Sequence, residues 1–249
     1  MERNSSVYGL AQAPLCEEET VRDIPVPDYL QRVYWWTYIH PFAVWFFDRQ
    51  WIVNLILLTQ YNRMRRAVLR EFAAAEDGHV LQVSCAYGDV IPKTAERVLA
   101  GRGRLDIIDV LPIQLKNVRR KLPVNDRIRL MQMNAAEMFL PSAAYDKVVL
   151  FFLLHETPDP VRKRILAESF RVVRPGGQVV IADFAMPKRW NPFRYLWAVF
   201  LSIFEPFALD MWRTDIHDHL PMTVRDYPLR QHRYFGALFQ KTVVTKPEH

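Results

Sequence analysis

The segment Cys85-Ala86-Tyr87-Gly88-Asp89 lies between an apolar run, HVLQVSC, and a stretch of helical spacing. A strand-to-helix turn of this kind can carry cofactor chemistry. Its glycine lets a ligand approach the backbone, and the first turn of the following helix offers N–H groups without internal partners. Gly88 is the glycine of this turn. About twenty residues later Asp109 ends a second apolar run, a spacing that suits a carboxylate accepting hydrogen bonds from ribose hydroxyls. Asp109 equally suits an N-cap for the stretch opening with Leu111 and Pro112, and both roles stay open. A second group of donors is Asp215-Ile216-His217-Asp218-His219. Its oxygen and nitrogen atoms suit a divalent ion such as manganese, or else a solvated turn or helix cap. His40, inside an aromatic stretch, reads as a packed core histidine.

These residues need a scaffold, and the pattern around them supplies one. Short apolar runs at 79–85, 104–110, 128–133, 147–154 and 178–184 alternate with helical spacing at 91–100, 113–122 and 161–173, and a Pro-Gly-Gly turn precedes the fifth run. Such alternation implies an α/β domain whose parallel sheet is covered on both faces and binds ligands at the strands' carboxyl ends. A final strand pair is expected near 224–233 and 235–245, with Gly236 between. Residues 1–28 read as a flexible arm and 29–75 as an aromatic helical lid or membrane-facing segment. Residues 76–249 read as the cofactor domain, with a second aromatic insertion at 188–214. Both aromatic segments carry charges and prolines within them, so the expectation is helices lying over a pocket or on a bilayer surface.

Composition narrows the partners. The 249 residues are 50% hydrophobic and carry a net charge of +6. The basic residues are scattered beside apolar aromatic segments, which favours an anionic membrane surface over nucleic acid. The loop HETPDP is also unlike the Asn/Asp-Pro-Pro-Tyr type that receives a flipped base. Cys16 and Cys85 stand far apart, and the N-terminus lacks the apolar run of a secretory signal, so the expectation is a cytoplasmic protein peripherally attached to the membrane.

Over about residues 79–185, VLQVSCAYGDV, IIDVLPIQL, NAAEMFLPSAAYDKVVLFFLLHETPDP and RILAESFRVVRPGGQVVIADF follow one another at matching spacing. Together they resemble the class I S-adenosylmethionine-dependent methyltransferases, particularly the quinone-biosynthesis C-methyltransferases. The resemblance implies a doubly wound, seven-stranded, mostly parallel sheet. It also implies S-adenosylmethionine bound by Gln82, Ser84, Cys85, Ala86, Tyr87, Gly88 and Asp89, then by Asp109 and Val110, Asn134 and Ala135, and Phe151. The chain departs from the family at Gln82, where an acidic residue is usual, at Ser84, Ala86 and Tyr87 in place of Gly, Gly and Thr, and at Asn134 in place of Asp.

CAYGD, the aromatic N-terminal segment and the ending YFGALFQKTVV together resemble the rhodoquinone biosynthesis methyltransferase-like proteins. What that resemblance implies is conversion of ubiquinone to rhodoquinone, with S-adenosylmethionine giving nitrogen and a divalent metal, manganese, assisting. His155 and Tyr87, with Asp89 nearby, are then the candidate bases. His155 and Glu156 stand where related quinone O-methyltransferases carry metal ligands, with Phe152 near the place of a further Glu. Asp183 or Asp218 could add oxygen. The alternatives are ordinary C- or O-methyl transfer to a quinone or other lipid-soluble aromatic, and a non-catalytic scaffold.

Overall fold

Val80, Leu81 and Val83 are all fully buried in β1 (His79–Val83), as a central strand covered on both faces requires. The computed structural model describes residues 24–34, 37–38, 40–205 and 207–248; the first 23 residues of the expected arm, including Cys16, lie outside the described residues. Around β1 lie β2 (Arg104–Asp109), β3 (Ile128–Gln132), β4 (Tyr145–Phe151), β5 (Val173–Phe184), β6 (Leu229–Tyr234) and β7 (Phe239–Thr245). The sheet order is β3-β2-β1-β4-β5-β7-β6. The first five strands are parallel, while β7 pairs antiparallel with both β5 and β6. This is the expected doubly wound, mostly parallel α/β sheet. Its strand order reverses between β1 and β4, and the crevice at such a point is where ligands bind.

The helices fall on two faces. Helices α4 (Tyr61–Leu69), α5 (Val90–Ala100) and α6 (Pro112–Arg119) pack Met64, Val68, Ile91, Val98 and Val118 onto one side of the sheet. Helix α7 (Asp159–Val172) packs Ile165, Leu166 and Phe170 onto the other, together with α9 (Ala208–Arg213) and α10 (Ile216–His219). Helix α1 (Asp28–Val33) precedes the first aromatic segment. That segment forms α2 (Pro41–Phe47) and α3 (Gln50–Ile56), and the second forms α8 (Phe193–Phe204). Among the described residues no helix is long and apolar enough to cross a membrane.

Several boundaries differ from the sequence pattern. The Pro-Gly-Gly turn is absorbed into β5: Val173 pairs with Tyr145, the register shifts, and Gln178 resumes against Lys147, with Gly176 at φ +74°. The run expected to continue to 154 stops at Phe151. Phe152 takes a positive φ, and Leu154–Glu156 form a 3₁₀ turn. The last helix before the sheet ends at Leu69, and Met222–Val224 turn before β6 begins. His40 is exposed; its Nδ1 accepts the Phe42 N–H and caps α2 ahead of Pro41, so it is a helix cap and not a core residue.

Gly88 is fixed by its surroundings. It sits at φ +85°, and a Cβ there would meet the Tyr61 hydroxyl at 2.4 Å. That hydroxyl accepts from the Asp89 and Val90 N–H groups at 2.7 and 3.0 Å and donates to Asp89 Oδ1 at 3.1 Å, so it has little freedom to move aside. Gly88→Ala combines left-handed strain with overpacking and should destabilise the fold by about 3 kcal/mol. Urea unfolding measures this, and a change below about 1 kcal/mol would mean that the loop yields.

Candidate active site

Two cavities open at the carboxyl ends of the central strands. The larger, about 350 Å³, is walled by Phe47, Val53, Ile56 and Leu57 from α2, α3 and the turn after them, by Trp197, Phe200 and Leu201 from α8, and by Phe151, Phe152 and Phe184 from the sheet. The smaller, about 60 Å³, lies between the ends of β1 and β2 and is lined by Asp109, Val110, Gln114, Asn134 and Ala135. Tyr38, Ser84, Cys85 and Glu156 line both, so the two spaces meet there. Pro27, Tyr29 and Leu30, from the start of α1 and the residue before it, also line the smaller cleft.

The sequence-derived cofactor residues divide between these spaces. Asp109, Val110, Asn134 and Ala135 line the smaller cleft, Ala86, Tyr87 and Phe151 line the larger, and Ser84 and Cys85 touch both. Gln82, Gly88 and Asp89 line neither. Gln82 is fully buried and its Nε2 bonds the Ser84 carbonyl at 3.2 Å, leaving Oε1 without a partner among the described residues. The Gly88 N–H donates to Asp48 Oδ1 at 3.0 Å, and Lys121 bridges Asp48 and the Gly88 carbonyl. Asp89 is ion-paired with Arg65. The free N–H groups expected at the start of α5 are therefore occupied, because Tyr61 caps Asp89 and Val90.

Asp109 is not the cap of α6, whose N-cap is Leu111; its carboxylate instead joins two turns. Its two oxygens accept the Cys85 N–H at 2.7 Å and the Leu111 N–H at 2.8 Å, tying the turn after β1 to the end of β2. Burial pushes its carboxyl up to about 6 against the pull of those N–H groups. It still faces the cleft beside Gln114, whose Oε1 is buried without a partner. A ligand hydroxyl or ammonium group would satisfy that atom, so these residues fit a nucleoside cofactor. Gln114, Tyr38 and Glu205 were not read from the sequence; a lone acid in the apolar run FLSIFEPF was the available signal for Glu205.

Tyr87 does not fit the role of a base. Its hydroxyl donates to the Thr37 carbonyl at 2.7 Å and accepts from Gln114 at 3.0 Å, and burial raises its pKa far above the working range. His155 is buried, with Nδ1 at 2.8 Å from Asp183 Oδ1. Burial disfavours its charge, but the Asp183 carboxylate outweighs that and raises the imidazole to about 9, so it is a cation at neutral pH and not a free base. Glu156 lies 3.8 Å from His155 Nε2 and accepts the Tyr38 hydroxyl; burial pushes its carboxyl upward despite the imidazolium. Glu205 lines the same cavity wall and is also shifted upward by burial.

The expected metal set does not assemble. Asp218 is exposed, and its carboxylate accepts the Asp215 N–H to close a capping box on α10. His219 bonds Asp159, and Asp183 is spent on His155 and on backbone N–H groups. Among the described residues no group of three or more His, Cys, Asp or Glu side chains could hold a metal ion. The described residues do not fit manganese.

A titration tests the His155–Asp183 pair. The folded pKa is raised, so the stability it contributes is complete below the unfolded value near 6.5 and is lost as pH rises through about 9. Urea unfolding at pH 7 and pH 9.5 should show the wild type losing roughly 2 kcal/mol of stability between them, and Asp183→Asn showing little of this loss. Equal losses in both proteins would mean that the imidazole is neutral in the fold.

Residues 80–177 match the family described as a methyltransferase domain. The demethylmenaquinone methyltransferase of Bacillus licheniformis is 25% identical over 191 residues, 76% of this chain and 79% of that protein. The corresponding Listeria welshimeri protein is 28% identical over 160 residues, 61% of this chain and 66% of its own length. Among solved structures, human N-acetylserotonin methyltransferase in complex with S-adenosylmethionine aligns with a TM-score of 0.59 at 14% identity, over 89% of this chain and 60% of its own. An O-methyltransferase family protein from Burkholderia thailandensis gives 0.55 at 14% identity, over 80% of this chain and 59% of its own. This chain has the fold of the class I S-adenosylmethionine-dependent methyltransferases, and its residues 80–177 are similar to the methyltransferase-domain family.

Proposed function

We propose that the chain is an S-adenosylmethionine-dependent transferase that converts ubiquinone to rhodoquinone by exchanging a ring methoxy group for an amino group. The observation that carries this reading is the closed turn after β1. Gln82 offers no carboxylate to an ammonium group, and Tyr61 and Asp48 occupy the N–H groups of Gly88, Asp89 and Val90. The amino-acid end of a bound donor thus loses its usual anchors on that side and is left to approach the window between the cavities. When bound, S-adenosylmethionine supplies the transferred group. This chain's residues hold the ribose end at Asp109 and Gln114, seat a quinone ring among Phe151, Phe152 and Phe184, and present His155 and Glu156 to the ring's oxygens.

A second reading has its own support. The demethylmenaquinone methyltransferases related to this chain favour methyl transfer to a quinone nucleus at the same window. One incubation separates the two: ubiquinone and a demethylated quinone offered together, with manganese and S-adenosylmethionine labelled at its amino nitrogen and its methyl carbon. Rhodoquinone carrying the nitrogen label is the expected product. Methyl label in a demethylated quinone, with none of the nitrogen label in any product, would replace the first reading with the second.

The substrate's solubility requires a surface as well as a cavity. Helices α2, α3 and α8 turn their inner sides to the larger cavity and leave Phe42, Trp45, Trp51, Leu55, Leu196 and Ile203 more than half exposed. Arg49, stacked at 4.0 Å on Trp45, and exposed Lys188 and Arg189 border them. Apolar side chains rimmed by cations suit an anionic bilayer interface, from which a polyprenyl quinone would enter sideways. The protein should float with anionic vesicles, and the double variant Trp51→Ser, Ile203→Ser should bind them about tenfold more weakly. Equal flotation of variant and wild type would remove this face from the reading.

A further inference from the structure

We infer that the arginine row of α4, Arg63, Arg66 and Arg70, together with the turn clamped beside it, is a docking surface for anionic lipid headgroups. It fixes which side of the protein meets a bilayer. The inference rests on the apolar face proposed above and not on the reaction.

Helix α4 buries Tyr61, Met64, Ala67 and Val68 and leaves Arg63, Arg66 and Arg70 exposed, so the three guanidinium groups share one face. Like charges three and four residues apart repel along a helix, and Arg63 stands in the first turn, where the helix's own partial charge is positive. The fold does not offset this. Asp89 is spent on Arg65, and Glu71 on Arg230 and Lys241. Among the described residues none of the three arginines meets a carboxylate. Three unpaired cations in a row call for an anionic partner outside the chain.

Contacts carry this row into the second aromatic segment. The Arg63 guanidinium lies 5.2 Å from the centre of the Tyr234 ring, at the end of β6. The next residue, Phe235, sets its ring 5.1 Å from that of Phe193 at the start of α8. Asn191, which is buried, donates from Nδ2 to the Phe235 carbonyl at 2.9 Å, and the Lys188 N–H donates to the Gly236 carbonyl at 2.9 Å. A Cβ on Gly236, at φ +61°, would meet Asn191 Nδ2 at 2.6 Å, so the hairpin tip and the turn fit without slack. The clamped turn presents Lys188, Arg189 and Trp190 to solvent, with Trp190 71% exposed.

The order of side chains along this path matches the depth of a bilayer. The cations of α4 and of the turn come first, then Trp190 and Tyr195, whose apolar rings carry a polar edge, then the exposed row Leu196, Val199 and Ile203 of α8. Headgroup phosphates, interfacial layer and acyl chains follow in the same order. A nucleic acid would meet the cations but leave the apolar row in water. An anionic lipid surface satisfies both.

The test needs no turnover. The full chain is floated with vesicles of phosphatidylcholine alone and of phosphatidylcholine mixed equally with phosphatidylglycerol, at low and at high salt. A basic residue at an anionic surface contributes about fivefold, so Arg63→Ser with Arg66→Ser should weaken binding to the mixed vesicles roughly 25-fold and leave binding to phosphatidylcholine unchanged. High salt should reproduce much of that loss in the wild type and little of it in the variant. The matched control removes two cations from the opposite side of the sheet, Lys163→Ser with Arg164→Ser on α7, and should stay within about threefold of wild type. All four residues are exposed, so both double variants keep the fold. Unchanged binding without Arg63 and Arg66, equal losses in the two double variants, or equal wild-type binding to both kinds of vesicle overturns the inference. So does tighter wild-type binding to duplex DNA than to the mixed vesicles. A wild type that floats with neither vesicle removes the apolar face along with the row, while the labelled incubation decides the reaction separately.

Discussion

Asp183 is the constraint on which the site depends. A carboxylate with no exposed surface is tolerated only when its oxygens are satisfied, and Asp183 accepts from the Leu154, His155 and Phe184 N–H groups and from His155 Nδ1. Those bonds pull the chain after β4 into its 3₁₀ turn and fix the imidazole's orientation. Phe152 takes its positive φ where the strand must leave the sheet to make that turn. Glu156 is then delivered to the window between the cavities because its neighbour is already held.

Asp109 does for the cofactor side what Asp183 does for the substrate side. It bonds the backbone just after β1 and just after β2, so the turn after β1 and the helix after β2 move as one piece. The rest of that turn is fastened from outside the sheet, by Tyr61 on α4 and by Asp48 at the end of α2. The aromatic N-terminal segment is thus part of the cofactor loop's support as well as a cavity wall, and Tyr38 stacked on Tyr87 at 5.4 Å joins the two.

The alternation of strands and helices was legible because it is local: apolar runs of strand length and helical periods each declare themselves within a few residues. The same holds for the cap at Asp215–Asp218, where the alternative named a short-range partner that the fold uses. What was not legible depends on long-range contact. Nothing near Gly88 in sequence announces that Tyr61 will occupy the helix start, so the N–H groups there read as free. Tyr87 reads as a base until Gln114 and the Thr37 carbonyl hold its hydroxyl. Glu205 is silent for the same reason, since the groups around it, Tyr34, His155 and Asp183, come from the segment after α1, the turn after β4 and β5.

The aromatic walls and the unusual acids are one design. Phe152, Phe184, Trp197 and Phe200 give the larger cavity an apolar lining suited to an aromatic ring, and the same lining surrounds Glu156 and Glu205. Low polarity retains a proton on an acid that would otherwise ionise, and His155, kept cationic by Asp183, limits how far that shift can go. A more polar wall would release the proton and, under the proposed function, weaken the hold on the quinone ring. Substrate choice and proton handling are therefore set by the same side chains, and a substitution that wets the cavity changes both.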